Sequence, residues 1–551
     1  MELVVVGLPG SGKTAVGRRV AARYAAAFID LDDEIERVAG LRVPEIFEAE
    51  GEAGFRRRER TAIEALGPVD AGPELTRVIA PGGGAIVDPR NRWRLFRGRR
   101  VAWLDVRTEV LAQRLRRSPN VRPLIAGRDP LGVIRDLGNA RARFYAAGTR
   151  VGGVAEMASV VDAVDDQLAG ATPTGTVLLR AETRLGKLVL GEGILAAEVA
   201  GALRDLDARR AILVSEPAAW AAVGEDLATS LGAAGLPVER VLLPQGEAAK
   251  RLAVIEAAAS DFARLRVERH EPIVAVGGGA LGDAAGFLAA TYLRGITFVQ
   301  VPTTLAAQVD SSIGGKTGVD LGEGKNLIGA FHQPASIVID VAVLATLDQR
   351  QRRAALAEVA KMAALGDERL FATLEASADA IATGEPAALE SGALAEAVER
   401  AAWAKVEVVL ADERESGARI ALNLGHSLGH AVEAAAGFGR LLHGEAVAYG
   451  LRAAARIGEA RGVTPPARAA RIERLLDTLD LGRSPTGLDL HEVLAFMSTD
   501  KKHAGGALRW VLPTADGHAI DAEVPEALVA EVAGGVLAGT GAPAATMAAR
   551  P

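Results

Sequence analysis

The sequence predicts two α/β domains in tandem followed by a mostly helical domain, and three patterns support this prediction. In the first part, four apolar runs alternate with arginine-rich amphipathic stretches, as in a three-layer α/β domain; the runs are residues 2–6, 27–31, 77–80 and 101–106. In the second part, six strand-like runs alternate with alanine-rich stretches; they are residues 177–180, 187–191, 211–215, 240–243, 273–276 and 297–301. From about residue 343 the strand-like runs stop, and helical periodicity continues to about residue 500.

The domain boundaries follow from local composition. Residues 167–178 are small and turn-forming, which is typical of a linker, and the residues from Gly541 onward resemble a loose tail. We therefore predict five segments, which are an α/β domain at 1–166, a linker at 167–177, a second α/β domain at 178–342, a helical domain at 343–537 and a flexible tail at 538–551.

The overall composition excludes several classes of protein. The chain has 551 residues, of which 49% are hydrophobic and 24% charged, with a net charge of −7, so it is neither disordered nor fibrous. Cysteine is absent, which excludes disulfide scaffolds and thiol nucleophiles and fits a reducing compartment. No apolar run reaches the roughly 20 residues of a membrane span, and Met1 leads into a strand-like run rather than a signal peptide. We expect a cytoplasmic protein that acts on small molecules, without a membrane or nucleic-acid partner.

Lysine and histidine are rare in this chain, and their positions are informative. Only nine lysines occur among the 63 basic residues, so a lysine indicates a place where a compact ammonium is needed. All eight histidines lie after residue 269, and His426, His430 and His443 fall close together. These residues mark the candidate sites.

Residues 7–14 form a complete phosphate-binding loop, Gly-Leu-Pro-Gly-Ser-Gly-Lys-Thr, between a predicted strand and a predicted helix. Its glycines allow backbone N–H groups to point at phosphate oxygens, and the helix N-terminus adds a favourable dipole. Lys13, the first lysine of the chain, is expected to reach the outer phosphates, and the Thr14 hydroxyl to bind Mg²⁺. The motif predicts nucleotide binding but does not identify the acceptor.

The residues that follow indicate the acceptor. Asp30 and Asp32 are predicted to end the second strand and to point to one side of it, and Arg56 to lie where a helix begins at Phe55. A Gly-Gly-Gly segment at 82–84 follows the third strand and allows close backbone approach. With the later arginines Arg122 and Arg141, this set suits a small polyol carboxylate.

Residues 1–165 resemble shikimate kinase. The motifs that carry this resemblance occur in the order of that family: the phosphate-binding loop, Asp-x-Asp, Phe-Arg, Gly-Gly-Gly, Val121-Arg-Pro-Leu and an arginine four residues before Tyr145. The resemblance implies ATP binding by Gly10, Ser11, Gly12, Lys13, Thr14 and Arg122. It implies shikimate binding by Asp32, Arg56, Gly82, Gly83, Gly84 and Arg141. It further implies that Thr14 and Asp30 hold Mg²⁺ and that Lys13, Asp32 and Arg122 are catalytic. One departure is Arg143-Phe144, where the family usually has Pro-Leu.

A second group of motifs follows the strand at 273–276. It begins with Gly277-Gly-Gly and Asp283, and continues with Tyr292-Leu-Arg294 and with polar loops around 301–304, 308–317 and 324–326. Three glycines at a strand end again indicate close backbone approach to a phosphate, although this is not the Gly-x-Gly-x-x-Gly of Rossmann enzymes. Polar groups and lysines on loops are typical of a binding site.

The helical part contains a metal-binding pattern. Glu358 and Lys361 lie three residues apart and His426 and His430 four apart, so each pair shares one face of a helix. His443-Gly-Glu follows later in the chain. One glutamate and two histidines form an open catalytic zinc set, with positions left for a substrate hydroxyl or water.

Together, residues 178–535 resemble 3-dehydroquinate synthase, through Pro-x-Gly-Glu-x-x-Lys at 244–250, the glycine loop, Pro-Thr-Thr, Gly-Lys-Asn, Asn-x-Gly-His, Leu-His-Gly-Glu and Asp500-Lys-Lys. The resemblance implies a zinc or cobalt ion bound by Glu358, His426 and His443. It implies NAD binding by Glu216, Glu247, Lys250, Gly278, Gly279, Asp283, Thr303, Thr304, Lys325 and Asn326. It implies heptulosonate-phosphate binding by Arg294, Asp310, Lys316, Lys361, Lys405, Arg419, Asn423, His430, Lys501 and Lys502, with Lys361 and His430 catalytic. Arg294 would reach a neighbouring subunit, which implies a homodimer.

One position departs from this second family. The family usually has a polar residue two positions after the acidic residue that Glu216 represents, whereas this chain has Ala218. The affinity for NAD is therefore expected to differ.

Several alternatives stay open at this point. A metal-dependent polyol dehydrogenase would lack the phosphate-gripping lysines, and a related sugar-phosphate cyclase would make a different carbocycle. A gluconate or nucleoside kinase would share the phosphate-binding loop but not the arginines and the Gly-Gly-Gly segment. One half of the chain can also be an inactive regulatory module. The sequence favours a bifunctional enzyme of the shikimate pathway.

Overall fold

The structure is a computed structural model. It describes residues 1–70, 72–117, 128–152, 157–170, 175–322, 324–415, 417–437, 439–483, 486–503, 509–521 and 523–539, with the backbone alone at 157 and 499–503. The chain divides into two compact units, one formed by Met1–Glu198 with Val338–Val341 and the other by Val199–Ile337 with Ala342–Pro551.

The first unit contains an α/β domain and a β-hairpin. Its elements are β1 (Glu2–Val6), α1 (Lys13–Arg23), β2 (Ala27–Asp30), α2 (Leu31–Ala39), α3 (Val43–Glu64), β3 (Arg77–Ala80), α4 (Pro89–Phe96), β4 (Arg100–Asp105), α5 (Thr108–Arg117), α6 (Pro130–Tyr145), β5 (Thr149–Gly152), α7 (Met157–Ala169), β6 (Thr176–Thr183) and β7 (Gly186–Glu192). Five parallel strands lie in the order β2-β3-β1-β4-β5, and β6 pairs with β7 in antiparallel fashion. The fully buried β1 places the phosphate-binding loop at the carboxyl edge of the sheet.

Two local predictions in this unit were wrong. Asp32 does not lie in a strand, because β2 ends at Asp30 and Asp32 lies in the first turn of α2. The Asp30 side chain accepts a hydrogen bond from the Asp32 backbone N–H and thereby starts the helix. Phe55 does not begin a helix either, since it lies inside α3, whose path breaks at Gly51 with a φ of 67°. Strand alternation therefore does not position these side chains.

The second unit begins with a parallel sheet. Its elements, apart from the first four residues of α8 and the last three of β14, which belong to the first unit, are α8 (Leu195–Asp205), β8 (Ala211–Ser215), α9 (Pro217–Ala219), α10 (Glu225–Ala233), β9 (Val238–Leu242), α11 (Leu252–Arg264), β10 (Ile273–Gly277), α12 (Gly279–Thr291), β11 (Phe298–Pro302), β12 (Lys316–Val319), β13 (Ile328–Phe331) and β14 (Ser336–Asp340). The strands β14, β11, β10, β8 and β9 lie side by side in this order and are parallel. The pair β12 and β13 forms a separate antiparallel ribbon, which the sequence patterns did not predict.

The remainder of the second unit is helical, as predicted, except for one hairpin. Its elements are α13 (Gln349–Ala364), α14 (Glu368–Thr383), α15 (Pro386–Glu390), α16 (Ala393–Ala411), α17 (His426–Ala435), α18 (His443–Ala460), α19 (Pro466–Thr478), α20 (Leu490–His503), β15 (Trp510–Pro513), β16 (His518–Asp521) and α21 (Glu526–Leu537). The prediction that strands stop near residue 343 was wrong, since β15 and β16 form an antiparallel pair.

Elements of regular structure extend into the predicted linker, because α7 runs to Ala169 and β6 begins at Thr176. Most of the predicted tail lies outside the described residues. The five predicted domain ranges stay a prediction. No helix in the described part of the chain is long and apolar enough to cross a membrane.

Glycines allow α13, α17 and α18 to pack with their backbones in contact. A Cβ atom on Gly450 of α18 would overlap the carbonyl oxygen of Gly425, which precedes α17, and one on Gly444 would overlap the carbonyl oxygen of Ala354 in α13. A Cβ on Gly429 would lie 3.1 Å from the Cα of Val447. These three helices carry the acidic and histidine residues of the predicted metal set.

We predict that Gly450→Ala destabilises the second unit by about 1–3 kcal/mol or more, because the added methyl group forces two backbones apart. Gly232→Ala in α10 is the control, since that glycine is exposed and a Cβ there meets nothing within 4 Å. The control is expected to be neutral or stabilising by up to about 1 kcal/mol. Thermal and chemical unfolding of both variants measure the difference, and equal stability of the two variants would contradict the packing argument.

Candidate active sites

The phosphate-binding loop has the predicted conformation. Gly10 and Gly12 adopt φ values of 84° and 95°, and Gly12 forms the N-cap of α1. The Lys13 ammonium donates to the carbonyl oxygens of Gly7, at 2.9 Å, and Leu8, at 3.3 Å, and so lies over the loop. The buried Ser11 hydroxyl has no hydrogen-bond partner in the described part of the chain. A loop of this shape with an unsatisfied buried hydroxyl fits a phosphate ligand.

The Mg²⁺ candidates Thr14 and Asp30 are in contact. The Thr14 hydroxyl donates to Asp30 Oδ2 at 2.7 Å, while Asp30 Oδ1 accepts from the Asp32 N–H at 3.1 Å. A hydroxyl at the end of the phosphate-binding loop and a carboxylate beside it are oxygen ligands of the kind that Mg²⁺ prefers, directly or through water.

The acceptor candidates surround the Gly-Gly-Gly segment. A Cβ on Gly82 would lie 2.9 Å from Asp32 Oδ1, and one on Gly84 would lie 2.7 Å from a guanidinium nitrogen of Arg56. A Cβ on Gly83 would lie 3.4 Å from the Pro9 ring, so the segment also touches the phosphate-binding loop. Asp32, Arg56 and the phosphate-binding loop therefore meet around one glycine segment.

Arg141 and Tyr145 hold this segment from α6. The Arg141 guanidinium donates to the Gly83 carbonyl oxygen at 2.7 Å, and the Tyr145 hydroxyl donates to the same oxygen at 2.9 Å. The structure thus brings Arg141 to the acceptor residues, whereas Arg122 and its lid segment lie outside the described residues.

Glu59 belongs to this cluster, although the sequence analysis did not name it. It is almost fully buried, and both of its carboxylate oxygens lie 3.0 Å from Arg56 Nη1. Burial raises the pKa of Glu59, an effect that the charge of Arg56 opposes and that of Asp32 reinforces. Glu59 lies three residues after Arg56 on one helix, and this spacing could have identified it from the sequence as a partner of Arg56.

In the second unit, Glu216 joins two segments of the predicted dinucleotide set. Its Oε2 accepts from the Gly246 N–H at 2.6 Å, and its Oε1 from the Gly278 N–H at 3.4 Å. Beside it, the Ala218 N–H donates to the Gln245 side chain at 3.0 Å. Gln245 thus supplies a polar group where Ala218 has none, and the sequence analysis did not identify it.

The glycine loop after β10 is closely packed by polar side chains. A Cβ on Gly278 would lie 3.2 Å from Thr304 Cγ2, and one on Gly279 would lie 2.7 Å from the Ser311 hydroxyl. That hydroxyl is buried and has no hydrogen-bond partner among the described residues. Thr303, which is also buried, continues the polar lining.

Lys250 organises the remaining dinucleotide candidates. Its buried ammonium donates to Asp283 Oδ2 at 2.8 Å and to the side-chain oxygen of Asn326. Burial raises the pKa of Asp283 to about 6, and the charge of Lys250 opposes this rise. Lys325 lies 3.2 Å from Glu247. The predicted NAD residues therefore converge around the carboxyl ends of β8, β10 and β11.

Glu358, His426 and His443 also converge. Glu358 Oε1 lies 3.6 Å from His426 Nε2 and 3.3 Å from His443 Nε2. Both Glu358 oxygens are buried, and neither accepts a hydrogen bond in the described part of the chain, although Lys361 forms an ion pair with one of them. Two imidazole nitrogens facing an unsatisfied buried carboxylate oxygen fit a divalent metal ion.

Backbone and side-chain acceptors orient the two imidazoles. His426 Nδ1 lies 3.1 Å from the Leu424 carbonyl oxygen, and His443 Nδ1 lies 3.0 Å from Glu433 Oε2. Each contact occupies Nδ1 and leaves Nε2 to face Glu358, as is usual for histidines that bind a metal. Glu433 was not named from the sequence, although its position three residues after His430 places it on the same helix.

The titration of these groups follows from their surroundings. Burial, reinforced by the charge of Lys361, lowers the pKa of His426 to about 3. Burial also opposes protonation of His443, but Glu358 and Glu433 outweigh it and raise the pKa of His443 to about 10. The pKa of Glu358 is held well below its usual range, because Lys361 and the two histidines outweigh its burial. Without metal, the proton of this cluster resides on His443.

His430 lies beside the metal candidates. Its ring centroid is 5.0 Å from that of His426 and 5.8 Å from that of His443, and the ligand nitrogens of the three histidines all lie within 4.8 Å of one another. His430 is also more exposed than His426.

Two buried lysines flank Asp310. Lys405 donates to Asp310 Oδ1 at 2.7 Å, and Lys361 lies 3.8 Å from the same oxygen. Burial would raise the pKa of Asp310, but the two ammonium groups outweigh it and lower the pKa. A pair of buried cations beside a metal site can bind an anionic, hydroxylated substrate.

The other substrate candidates border the same region or the surface. Arg419 is buried and donates to the Glu413 carbonyl oxygen at 2.6 Å, and Asn423 ends the turn before α17. Lys316 forms an ion pair with Glu415. Arg294 is exposed. Lys501 and Lys502 lie in α20, and their side chains are outside the described residues.

Comparison with known proteins identifies two families along the chain. The family model for shikimate kinase matches residues 9–161, and those for the N-terminal and C-terminal parts of 3-dehydroquinate synthase match residues 240–354 and 355–503. The 3-dehydroquinate synthase of Symbiobacterium thermophilum is 45% identical over 336 residues, which cover 60% of this chain and 92% of the relative. That of Nitrobacter hamburgensis is 46% identical over 347 residues, covering 60% and 88%.

Solved structures of cyclases are also similar. ValA, a 2-epi-5-epi-valiolone synthase from Streptomyces hygroscopicus subsp. jinggangensis with NAD⁺ and Zn²⁺ bound, has a TM-score of 0.59 and 29% identity, covering 64% of this chain and 96% of that one. A 2-deoxy-scyllo-inosose synthase complexed with carbaglucose-6-phosphate, NAD⁺ and Co²⁺ has a TM-score of 0.55 and 25% identity, covering 64% and 97%. The chain belongs to the 3-dehydroquinate synthase family and carries a shikimate kinase domain before the synthase part.

Proposed function

We propose that this chain is a bifunctional enzyme of aromatic amino-acid biosynthesis. One activity is the ATP-dependent 3-phosphorylation of shikimate. The other is the NAD- and zinc-dependent cyclisation of 3-deoxy-D-arabino-heptulosonate 7-phosphate to 3-dehydroquinate with release of phosphate. The observation that carries the proposal is the convergence of Glu358, His426 and His443 beside two buried lysines, in a chain whose phosphate-binding loop adjoins a separate cluster of Asp32, Arg56 and Arg141.

The kinase residues have distinct roles in this proposal. Lys13 binds the outer phosphates of ATP, Thr14 and Asp30 hold Mg²⁺, and Arg56 and Arg141 bind the shikimate carboxylate. Asp32 accepts the proton of the 3-hydroxyl group while that oxygen bonds to the γ-phosphorus and the bond to the ADP oxygen breaks. Because phosphoryl transfer depends mainly on positioning and charge neutralisation, Lys13 and Mg²⁺ carry much of the rate, together with Arg122 of the lid.

The metal site of the synthase part is assigned to Glu358, His426 and His443. A Zn²⁺ or Co²⁺ ion held there supplies a Lewis acid that acidifies a substrate hydroxyl, and NAD⁺ supplies a hydride acceptor that is regenerated within the cycle. Glu216, Glu247, Lys250 and the glycine loop bind the dinucleotide, together with Gly279, Asp283, Thr303, Thr304, Lys325 and Asn326.

The residues around the metal site bind and deprotonate the substrate. Lys361 and Lys405 provide buried cations for its anionic groups, and Asp310 keeps both ammonium groups in place. His430 lies beside the metal candidates and exchanges protons with the substrate. Arg294, Lys316, Arg419 and Asn423 complete the substrate set, with Lys501 and Lys502. A polyol dehydrogenase has no phosphate to bind, so two buried lysines beside the metal set favour the cyclase.

A homodimer and a cytoplasmic location belong to the proposal as well. Leu293 and Arg294 both have positive φ, at 49° and 68°, and Arg294 is exposed. A strained segment that presents an exposed arginine is consistent with a contact to a neighbouring subunit's site.

Two assays on the purified protein test the proposed function. We expect phosphate release from the heptulosonate phosphate in the presence of NAD⁺ and Zn²⁺, and ADP formation with shikimate, ATP and Mg²⁺. Lys13→Met should abolish the second activity alone, and His426→Ala the first alone, since the two residue sets are separate. If either activity is absent from the folded wild-type protein, that half of the proposal is wrong.

Asp32 gives a sharper test of the kinase site. We expect Asp32→Asn to lower the kcat of the kinase by about 10²-fold or more, because the amide no longer accepts the hydroxyl proton. Asp33→Asn is the matched control, since Asp33 follows in the same helix turn and its exposed carboxylate pairs with Arg18. Steady-state kinetics of both variants decide the matter. Equal rates for the two variants would remove Asp32 from the reaction.

The affinity for metal should depend on pH. Because His443 holds a proton up to about pH 10 while Glu358 and His426 are already deprotonated, binding of the metal must release one proton. Between pH 6 and 9 the apparent affinity for Zn²⁺ should therefore rise about tenfold per pH unit. Competition with a chromophoric chelator measures this slope, and proton release measured by calorimetry checks it. A pH-independent affinity would contradict the assignment of His443.

A further inference from the structure

Glu433 contacts residues of both ligand sites of the synthase part, and the proposed function assigns it to neither ligand. It is buried in α17. Its Oε2 accepts from His443 Nδ1 at 3.0 Å, and its Oε1 accepts from the Lys325 ammonium at 2.8 Å. Each carboxylate oxygen therefore faces a residue of a different predicted site, one in the metal set and one in the dinucleotide set.

The contact with Lys325 continues into the dinucleotide set. Lys325 also lies 3.2 Å from Glu247 Oε1. The next residue, Asn326, has a φ of 56°, and its side-chain oxygen accepts from the Lys250 ammonium. A residue other than glycine in this left-handed conformation needs fixed neighbours to hold it. The segment around Lys325 is thus held partly by the group that orients His443.

We propose that Glu433 is a positioning residue that couples the metal and dinucleotide sites, so that each ligand strengthens the binding of the other. This inference rests on the proposed function, since it requires a metal ion on Glu358, His426 and His443 and NAD⁺ beside Lys250. It concerns the affinities alone and requires no chemical step.

The coupling follows from the sharing of one carboxylate. A metal ion at His443 Nε2 makes the Nδ1–H a stronger donor, which fixes Glu433 Oε2 in place. The two oxygens belong to one planar group, so fixing Oε2 also fixes Oε1 and the Lys325 ammonium that donates to it. Ordering this group costs entropy when the first ligand binds, so the second ligand binds without that cost. By thermodynamic linkage, the factor by which bound metal increases the affinity for NAD⁺ equals the factor by which bound NAD⁺ increases the affinity for metal. We call this the coupling factor.

Substitution by glutamine separates this role from a merely structural one. Glutamine has nearly the same shape, but it has one acceptor oxygen and therefore serves His443 or Lys325, not both. A structural role predicts that both affinities change while their coupling factor is preserved. The proposed role predicts that the coupling factor itself falls.

The experiment measures NAD⁺ affinity by calorimetry at one pH, on the full-length protein stripped with a chelator and on the same protein loaded with Zn²⁺. For the wild type we expect Zn²⁺ to tighten NAD⁺ binding by about 5- to 20-fold, a usual size for coupling between sites. For Glu433→Gln the factor should fall below about 2-fold, which is under the usual range of coupling between sites, while both ligands still bind. Metal affinity with and without NAD⁺ gives the reciprocal factor.

Two further variants complete the design. Glu445→Gln is the matched control, because Glu445 lies two residues after His443 and its carboxylate binds Arg350 at 2.7 and 2.8 Å rather than Lys325. It should keep the wild-type factor. Lys325→Met removes the link from the other end and should lower the factor as Glu433→Gln does, with no further loss in the double variant. Lys325→Met also tests the inference by itself if Glu433→Gln fails to fold.

The outcomes are distinct. An unchanged factor in Glu433→Gln and Lys325→Met, or a wild-type protein that binds both ligands without coupling, would overturn the inference and leave the proposed function intact. A folded wild-type protein that binds neither NAD⁺ nor Zn²⁺ would overturn both.

Discussion

The metal-binding pattern depends on backbone contact between three helices. α18 touches α13 through Gly444 and approaches the N-terminal end of α17 through Gly450, at positions where any side chain would overlap a carbonyl oxygen. This close approach brings Glu358 Oε1 of α13 to 3.6 Å from His426 Nε2 of α17 and to 3.3 Å from His443 Nε2 of α18. With ordinary side chains in the contacts, the helices would lie farther apart and the ligand set would not close around an ion.

The second constraint is the burial of charge beside that set. Lys361 and Lys405 are almost fully buried, and each loses much of its hydration. Asp310 lies between them and Glu358 pairs with Lys361, so positive and negative groups alternate. Buried ion pairs of this kind contribute little to stability compared with apolar residues of the same size. Their presence in a cleft is better explained by a ligand that needs fixed charges, which agrees with an anionic substrate.

The kinase site is built differently, around a glycine segment at the carboxyl edge of a parallel sheet. The Gly83 carbonyl oxygen accepts hydrogen bonds from both Arg141 and Tyr145, and the flanking glycines leave room for Asp32 and Arg56. Here glycine provides close approach between a loop and side chains, whereas in the helical part it provides close approach between helices. In both sites the charged groups lie on rigid elements, so little entropy is lost when a ligand binds.

The sequence by itself determined the two α/β sheets, the phosphate-binding loop and the identity of the charged residues, because short-range periodicity and local motifs depend on neighbouring residues only. It failed where a side chain's place depends on the surrounding fold: Asp32 lies in a helix turn that Asp30 caps, and the antiparallel pairs β12–β13 and β15–β16 have no strong alternation. Only the tertiary structure decided that Glu433 joins His443 to Lys325. Such partners are chosen by distance in space, which the order of residues along a chain does not encode locally.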